Sequence, residues 1–193
     1  MESNREGDTV SSAVLDAAFE EYRALYGLVV FRMTALDRRV PVVGAGLGAF
    51  LASVATLPRE SQIILLLGLP LALVWFLRTT VNHARSFEDA LRRIEQIERH
   101  VNDLVGCETL AFQSRHPSRG RFVGGRTASE TIRSVLVAAG TMLAACVYLF
   151  ASLIDSTDVG FGTYAAYVLT AALSMGLVTW RLGRYRYEPE DNV

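Results

Sequence analysis

Residues 78–133 read RTTVNHARSFEDALRRIEQIERHVNDLVGCETLAFQSRHPSRGRFVGGRTASETIR, a polar stretch with two long apolar runs before it and two after it. It carries more than half of the chain's arginines, and all 19 basic residues of the chain are arginine. This layout decides the fold class: an all-α membrane protein with four transmembrane helices arranged as two hairpins. Amphipathic cytoplasmic helices are expected before span 1 and between spans 2 and 3.

Working outward, residues 40–58 and 134–154 contain no charged side chain, and residues 61–81 contain only Arg78, close to one end. About 20 apolar residues at 1.5 Å rise cross the hydrocarbon core, so each run is long enough to span it, the first only just. The fourth run is 159–180, with Tyr164 and Trp180 placed to sit in opposite interfacial belts. The loop between the first two runs holds only Arg59, and the acidic loop at 155–158 holds no arginine. By the positive-inside rule both termini and the polar middle are cytoplasmic, in an inner (plasma) membrane. The polar N-terminus does not read as a cleavable secretory signal.

The expected division is a disordered 1–10, an amphipathic helix over 11–39 and a first transmembrane hairpin over 40–81. A cytoplasmic helix plus Arg/Gly-rich loop follows over 82–133, then a second hairpin over 134–181 and a tail over 182–193. Leu15, Phe19, Tyr22, Tyr26, Val29, Met33 and Leu36 form one helical stripe. Phe87, Ala90, Ile94, Ile97, Val101 and Leu104 form another, so the two helices have matching needs. They pack on each other, or serve a second subunit or a soluble cytoplasmic partner. The pairs Glu88/Arg92, Asp89/Arg93 and Glu95/Arg99 have the favoured acid-before-base order and mark a solvated face. Gly106 stops the helix, and Thr127 opens the next by a capping box with Glu130.

Candidate sites follow from these patterns. Gly44, Gly48 and Ala52, like Gly140 and Ala144, have the small-residue spacing that lets helices approach closely, within the bundle or in a homo-oligomer. Ile94, Ile97 and Val101 are the other helix-packing candidates. Arg115, Arg119, Arg121 and Arg126 lie in a glycine-containing loop and are the candidate anion ligands, for anionic lipids or a specific phosphate-bearing molecule. The spans carry no Asp, Glu, Lys or His, which disfavours a proton- or sodium-coupled transporter. No catalytic motif, paired CxxC or metal-ligand spacing is present, so neither enzyme, cofactor nor metal is expected. Aromatic residues interleave the arginines too sparsely for nucleic acid. Cys107 and Cys146 fall at different depths and should not pair.

The order of an amphipathic helix, a two-span hairpin and a charged helix over residues 11–106, closing with IEQIERHVNDLVG, resembles the SLATT-type membrane proteins. Four-span subunits of other phage-defence systems match the span count. The resemblance implies a membrane effector of a bacterial conflict system, oligomeric and pore-forming when a nucleotide-linked partner activates it. A passive scaffold for a soluble protein and a small-solute channel or transporter are the competing expectations.

Overall fold

The computed structural model describes residues 3–116, 122–153 and 159–185. Five helices make up the chain: α1 (Ser3–Asp37), α2 (Arg39–Thr56), α3 (Arg59–Val105), α4 (Gly125–Leu153) and α5 (Val159–Gly183). No strand occurs among the described residues. Four helical stretches, ending at Thr56, Val105, Leu153 and Gly183, are long and apolar enough to cross a membrane. The chain therefore has the layout of a multi-pass membrane protein. Its outward faces carry Ile64, Leu71, Trp75, Val137 and Leu173, all exposed, as lipid-facing positions would be.

α3 organises the rest. Its 47 residues form one helix of about 70 Å, more than twice the roughly 30 Å hydrocarbon core. The second span therefore runs without a break into the polar middle, and no separate helix starts at Ser86. α3 touches every other helix, most extensively α1 and least α2, while α2 leans more on α4 than on α3, the next helix in the chain. The α1–α3 contact buries Val29 and Leu36 in one cluster with Val81, Ala84, Phe87 and Ile94 of α3. α1 also begins at Ser3, well before the expected start at Ser11 and inside the stretch expected to be disordered.

The two ends of the bundle differ in chemistry. At one end Arg59, opening α3, donates to the Leu153 carbonyl closing α4, so the α2–α3 turn lies beside the end of α4. At the other, the Tyr185 hydroxyl donates to Asp89 at 2.6 Å and Arg92 donates to the Tyr185 carbonyl at 2.7 Å. The arginine-rich layer and the end of α5 are thus on one side.

Tyr164 does not sit in an interfacial belt. It is 3% exposed, stacks on Phe150 with centroids 3.9 Å apart, and donates to the Leu66 carbonyl at 2.9 Å. The reason lies in Pro70, inside α3. Proline has no N–H, so the carbonyl four residues earlier, Leu66, loses its helical donor. Tyr164 replaces it, and Tyr167 donates to the next carbonyl, Leu67, at 2.8 Å.

Candidate functional site

The segment after α3 folds back along it, and buried polar groups of α3 hold it there. Gly106 ends α3 in the left-handed conformation (φ 70°), its N–H on the Asn102 carbonyl at 2.9 Å. The Asn102 side chain then accepts the backbone N–H groups of Thr109 (2.8 Å) and Leu110 (2.9 Å) and donates to the Leu110 carbonyl (2.7 Å). Three residues further along, Gln113 (2.9 Å) and Ser114 (2.8 Å) give their N–H groups to Glu98, which lies one turn before Asn102 on α3 and also accepts the Tyr22 hydroxyl of α1 (3.2 Å). Burial and the Glu98 charge hold the Tyr22 hydroxyl protonated, its pKa pushed up to about 12. Glu88 accepts the Gly124 N–H at 2.7 Å, placing a carboxylate at the start of α4, where the helix dipole favours negative charge.

These contacts correct the expectation of a solvated acidic face. Glu98 is 0% exposed, Glu95 3% and Glu88 7%. Glu88 and Glu95 do pair with Arg92 and Arg99, but Asp89 takes Tyr185 and Arg93 reaches across to Glu21 of α1 at 2.8 Å. Acid–base spacing along a helix describes only that helix. The backbone amides that meet Glu88 and Glu98 come from a later segment. The start of α4 also differs from expectation: it opens at Gly125, and Glu130 pairs with Arg126 at 2.6 Å rather than completing a capping box on Thr127.

Between α1, α3 and the first turns of α4 lies a cleft of about 670 Å³. Val29, Met33, Phe87 and Leu91 supply apolar walls, Phe112 and Phe122 supply aromatic ones, and Arg126, Arg133 and His116 supply the basic groups. Phe112 is fixed from the α1 side by an edge contact with Tyr26, centroids 5.5 Å apart. Gln113, Thr127, Ser129 and Glu130, the ion-pair partner of Arg126, complete the lining. A cavity of this size suits a small organic ligand, and arginines at a helix N-terminus favour negative charge. Among the described residues no three His, Cys, Asp or Glu side chains gather as a metal site would need.

Of the candidate anion ligands, Arg126 lines this cleft, whereas Arg115 is ion-paired with Glu108 and is not among its lining residues. Arg119 and Arg121 lie outside the described residues. Ile94, Ile97 and Val101 are buried. Gly44, Gly48 and Gly140 are exposed with no atom within 4 Å of a built Cβ, and Ala52 and Ala144 are exposed too, so this chain does not fill those seams itself. Cys107 is exposed, Cys146 is buried, and both are free. Arg133, Phe112, Phe122 and the amide-binding Glu88, Glu98 and Asn102 were not singled out as site residues by pattern. The sequence signal for Arg133 is its i+7 position from Arg126, on the same helical face as Arg126 and Glu130. No family model, curated protein or solved structure matches the chain.

Proposed function

We propose that the protein is a non-catalytic sensor and effector of the bacterial inner membrane, with both termini and the arginine-rich layer in the cytoplasm. An anionic cytoplasmic ligand enters the cleft beside Arg126 and Arg133 and repacks the bundle, opening the membrane. The observation that carries this reading is the continuity of the two long cleft walls. α3 and α4 run from the cleft through the apolar layer, and Glu88 on one holds Gly124 at the start of the other. A ligand that separates or clamps these walls acts directly on the spans. The unfilled faces of Gly44, Gly48 and Gly140 suit contacts with further copies in a homo-oligomer. The resemblance to SLATT-type proteins supports placing it in a stress or phage-defence pathway.

A second reading is favoured by the apolar face that α1 leaves open, where Tyr26, Leu28 and Phe31 are exposed. On that reading the protein is a scaffold, and α1 holds a soluble partner by the side that carries Leu28 and Phe31, opposite the Tyr26 contact with Phe112. Ion flux through liposomes carrying the purified chain, with and without a cytoplasmic extract of stressed cells, separates the two. The effector gives flux only with extract, and Arg126→Gln with Arg133→Gln abolishes it without preventing insertion. A sealed membrane in both conditions, with a soluble protein retained by the wild type and lost on Phe31→Asp, moves the assignment to the scaffold.

A further inference from the structure

Where α1, α2 and α3 meet, just beyond the uncharged part of the spans, two arginines and a histidine lie together with no ion-paired acid among the described residues. Arg32 Nη1 of α1 is 3.1 Å from His83 Nδ1 of α3. A guanidinium only donates, so Nδ1 accepts, His83 is neutral, and its Nε2–H remains a donor. Arg39, the first residue of α2, donates to the Thr80 hydroxyl at 2.6 Å and the Thr79 hydroxyl at 3.2 Å, one turn from His83 on α3. Both hydroxyls already donate to the Phe76 carbonyl, so they orient Arg39 and do not neutralise it.

Neither Arg32 nor Arg39 has an acidic partner among the described residues. Arg32 Nε is buried and has no hydrogen-bond partner. Burial, then Arg39, then Arg32 push the His83 pKa down, so both guanidiniums bear on the same imidazole. Positive charge gathered at half-buried positions, with no paired acid among the described residues, is unfavourable unless something anionic completes it.

We propose that Arg32, Arg39 and His83 form a binding site for a phosphate group, separate from the cleft at α4. Arg39, held by Thr79 and Thr80, and the unused donors of Arg32 would grip the phosphate oxygens, with His83 Nε2–H as a further donor. Its height, one turn past the apolar runs, admits two sources: the headgroup phosphate of an anionic phospholipid, or a soluble phosphate reaching the layer from the aqueous side.

The test uses the full chain in a neutral detergent, titrated with short-chain phosphatidylglycerol or with inorganic phosphate, read by thermal unfolding and by native mass spectrometry. The wild type is expected to be stabilised by at least one of the two. Arg32→Gln and Arg39→Gln should each weaken that response by tenfold or more. Arg38→Gln removes the same charge from an exposed neighbour and should change it less than twofold. Without any phosphate, Arg32→Gln and Arg39→Gln should be no less stable than the wild type, because they relieve repulsion. An arginine with a purely structural role would show the opposite. Response to phosphatidylglycerol alone identifies a lipid headgroup, and competition by inorganic phosphate identifies a soluble source. Equal losses in Arg38→Gln and Arg39→Gln, or no response to either phosphate source, would overturn the site.

Discussion

The Tyr164 hydroxyl of α5 donates at 2.9 Å to the Leu66 carbonyl of α3, the acceptor that Pro70 leaves without a helical donor. In a hydrocarbon setting an unpaired carbonyl has no water to turn to, so this contact ties α5 to α3 at the point where α3 is weakest. Tyr164→Phe should destabilise the protein by about 1–3 kcal/mol, the usual cost of a buried group left unsatisfied. Pro70→Ala restores an N–H for Leu66, so Tyr164→Phe made on that background should cost much less. A double-mutant cycle by denaturation in detergent measures the coupling. Equal costs on both backgrounds would show that the hydroxyl does something other than repair the proline.

Glu98 holds the returning segment by two consecutive amides, those of Gln113 and Ser114. Replacing it with alanine leaves both donors and the Tyr22 hydroxyl without their acceptor. Hydrogen exchange at Gln113 and Ser114 should accelerate at least tenfold in Glu98→Ala, corresponding to about 1.4 kcal/mol of lost protection. Glu98→Gln keeps an acceptor oxygen and should fall between the two. Unchanged exchange in Glu98→Ala would mean the segment is held elsewhere.

That clamp marks the limit of what the sequence makes legible. Long uncharged runs and the Gly106 stop are local signals, and the helices appear where those signals lie. The 3.6-residue stripe containing Ile94 and Val101 likewise shows which face of α3 is buried. Glu88, Glu95 and Glu98 break the same logic, because charge and i,i+4 arginines are also the marks of a wet helix face. Glu88 and Glu98 are held by amides of residues 113, 114 and 124, and no helical period reports where a later segment will fold back. Tyr164 fails for a related reason: its partner is an unpaired carbonyl on another helix, created by a proline 94 positions earlier in the chain.

Two glycines with nearly the same backbone should respond very differently to alanine. Gly106 and Gly124 have φ of 70° and 68°, where an L-residue costs about 1–2 kcal/mol. At Gly106 a new Cβ meets nothing within 4 Å, so only that backbone cost is expected. At Gly124 it would lie 2.8 Å from Ala128 Cβ and 3.0 Å from the Ala84 carbonyl oxygen. α3 and the start of α4 would have to separate there, so Gly124→Ala should lose clearly more stability, and with it the Glu88 contact. Comparing the two variants by thermal unfolding checks this; similar losses would argue against the close approach.

The proposed orientation can be read from the two native cysteines. Cys107 is exposed in the layer assigned to the cytoplasm, and Cys146 is buried inside the bundle. A membrane-impermeant maleimide should label Cys107 in inside-out vesicles and leave it unlabelled in right-side-out ones, with Cys146 silent in both. Labelling in the opposite vesicles would invert the topology and place the arginine layer outside.

His83 makes the stability of the protein depend on pH in a defined direction. In the fold its pKa is pushed below the ordinary 6.5 by burial, by Arg39 from α2 and by Arg32 from α1. Between that lowered value and 6.5 the unfolded chain binds a proton that the folded chain refuses, so stability rises with pH across the window. Acidifying phosphate-free detergent solutions from neutral pH should therefore lower the unfolding temperature, with the loss levelling off once the folded imidazole also protonates. His83→Gln keeps a carbonyl acceptor for Arg32 but cannot titrate, and should flatten this part of the profile. A bound phosphate would oppose the two arginines and bring the His83 pKa back up, so phosphatidylglycerol should flatten the wild-type profile toward that of the variant. A wild-type slope that persists in His83→Gln would assign the pH dependence to another group.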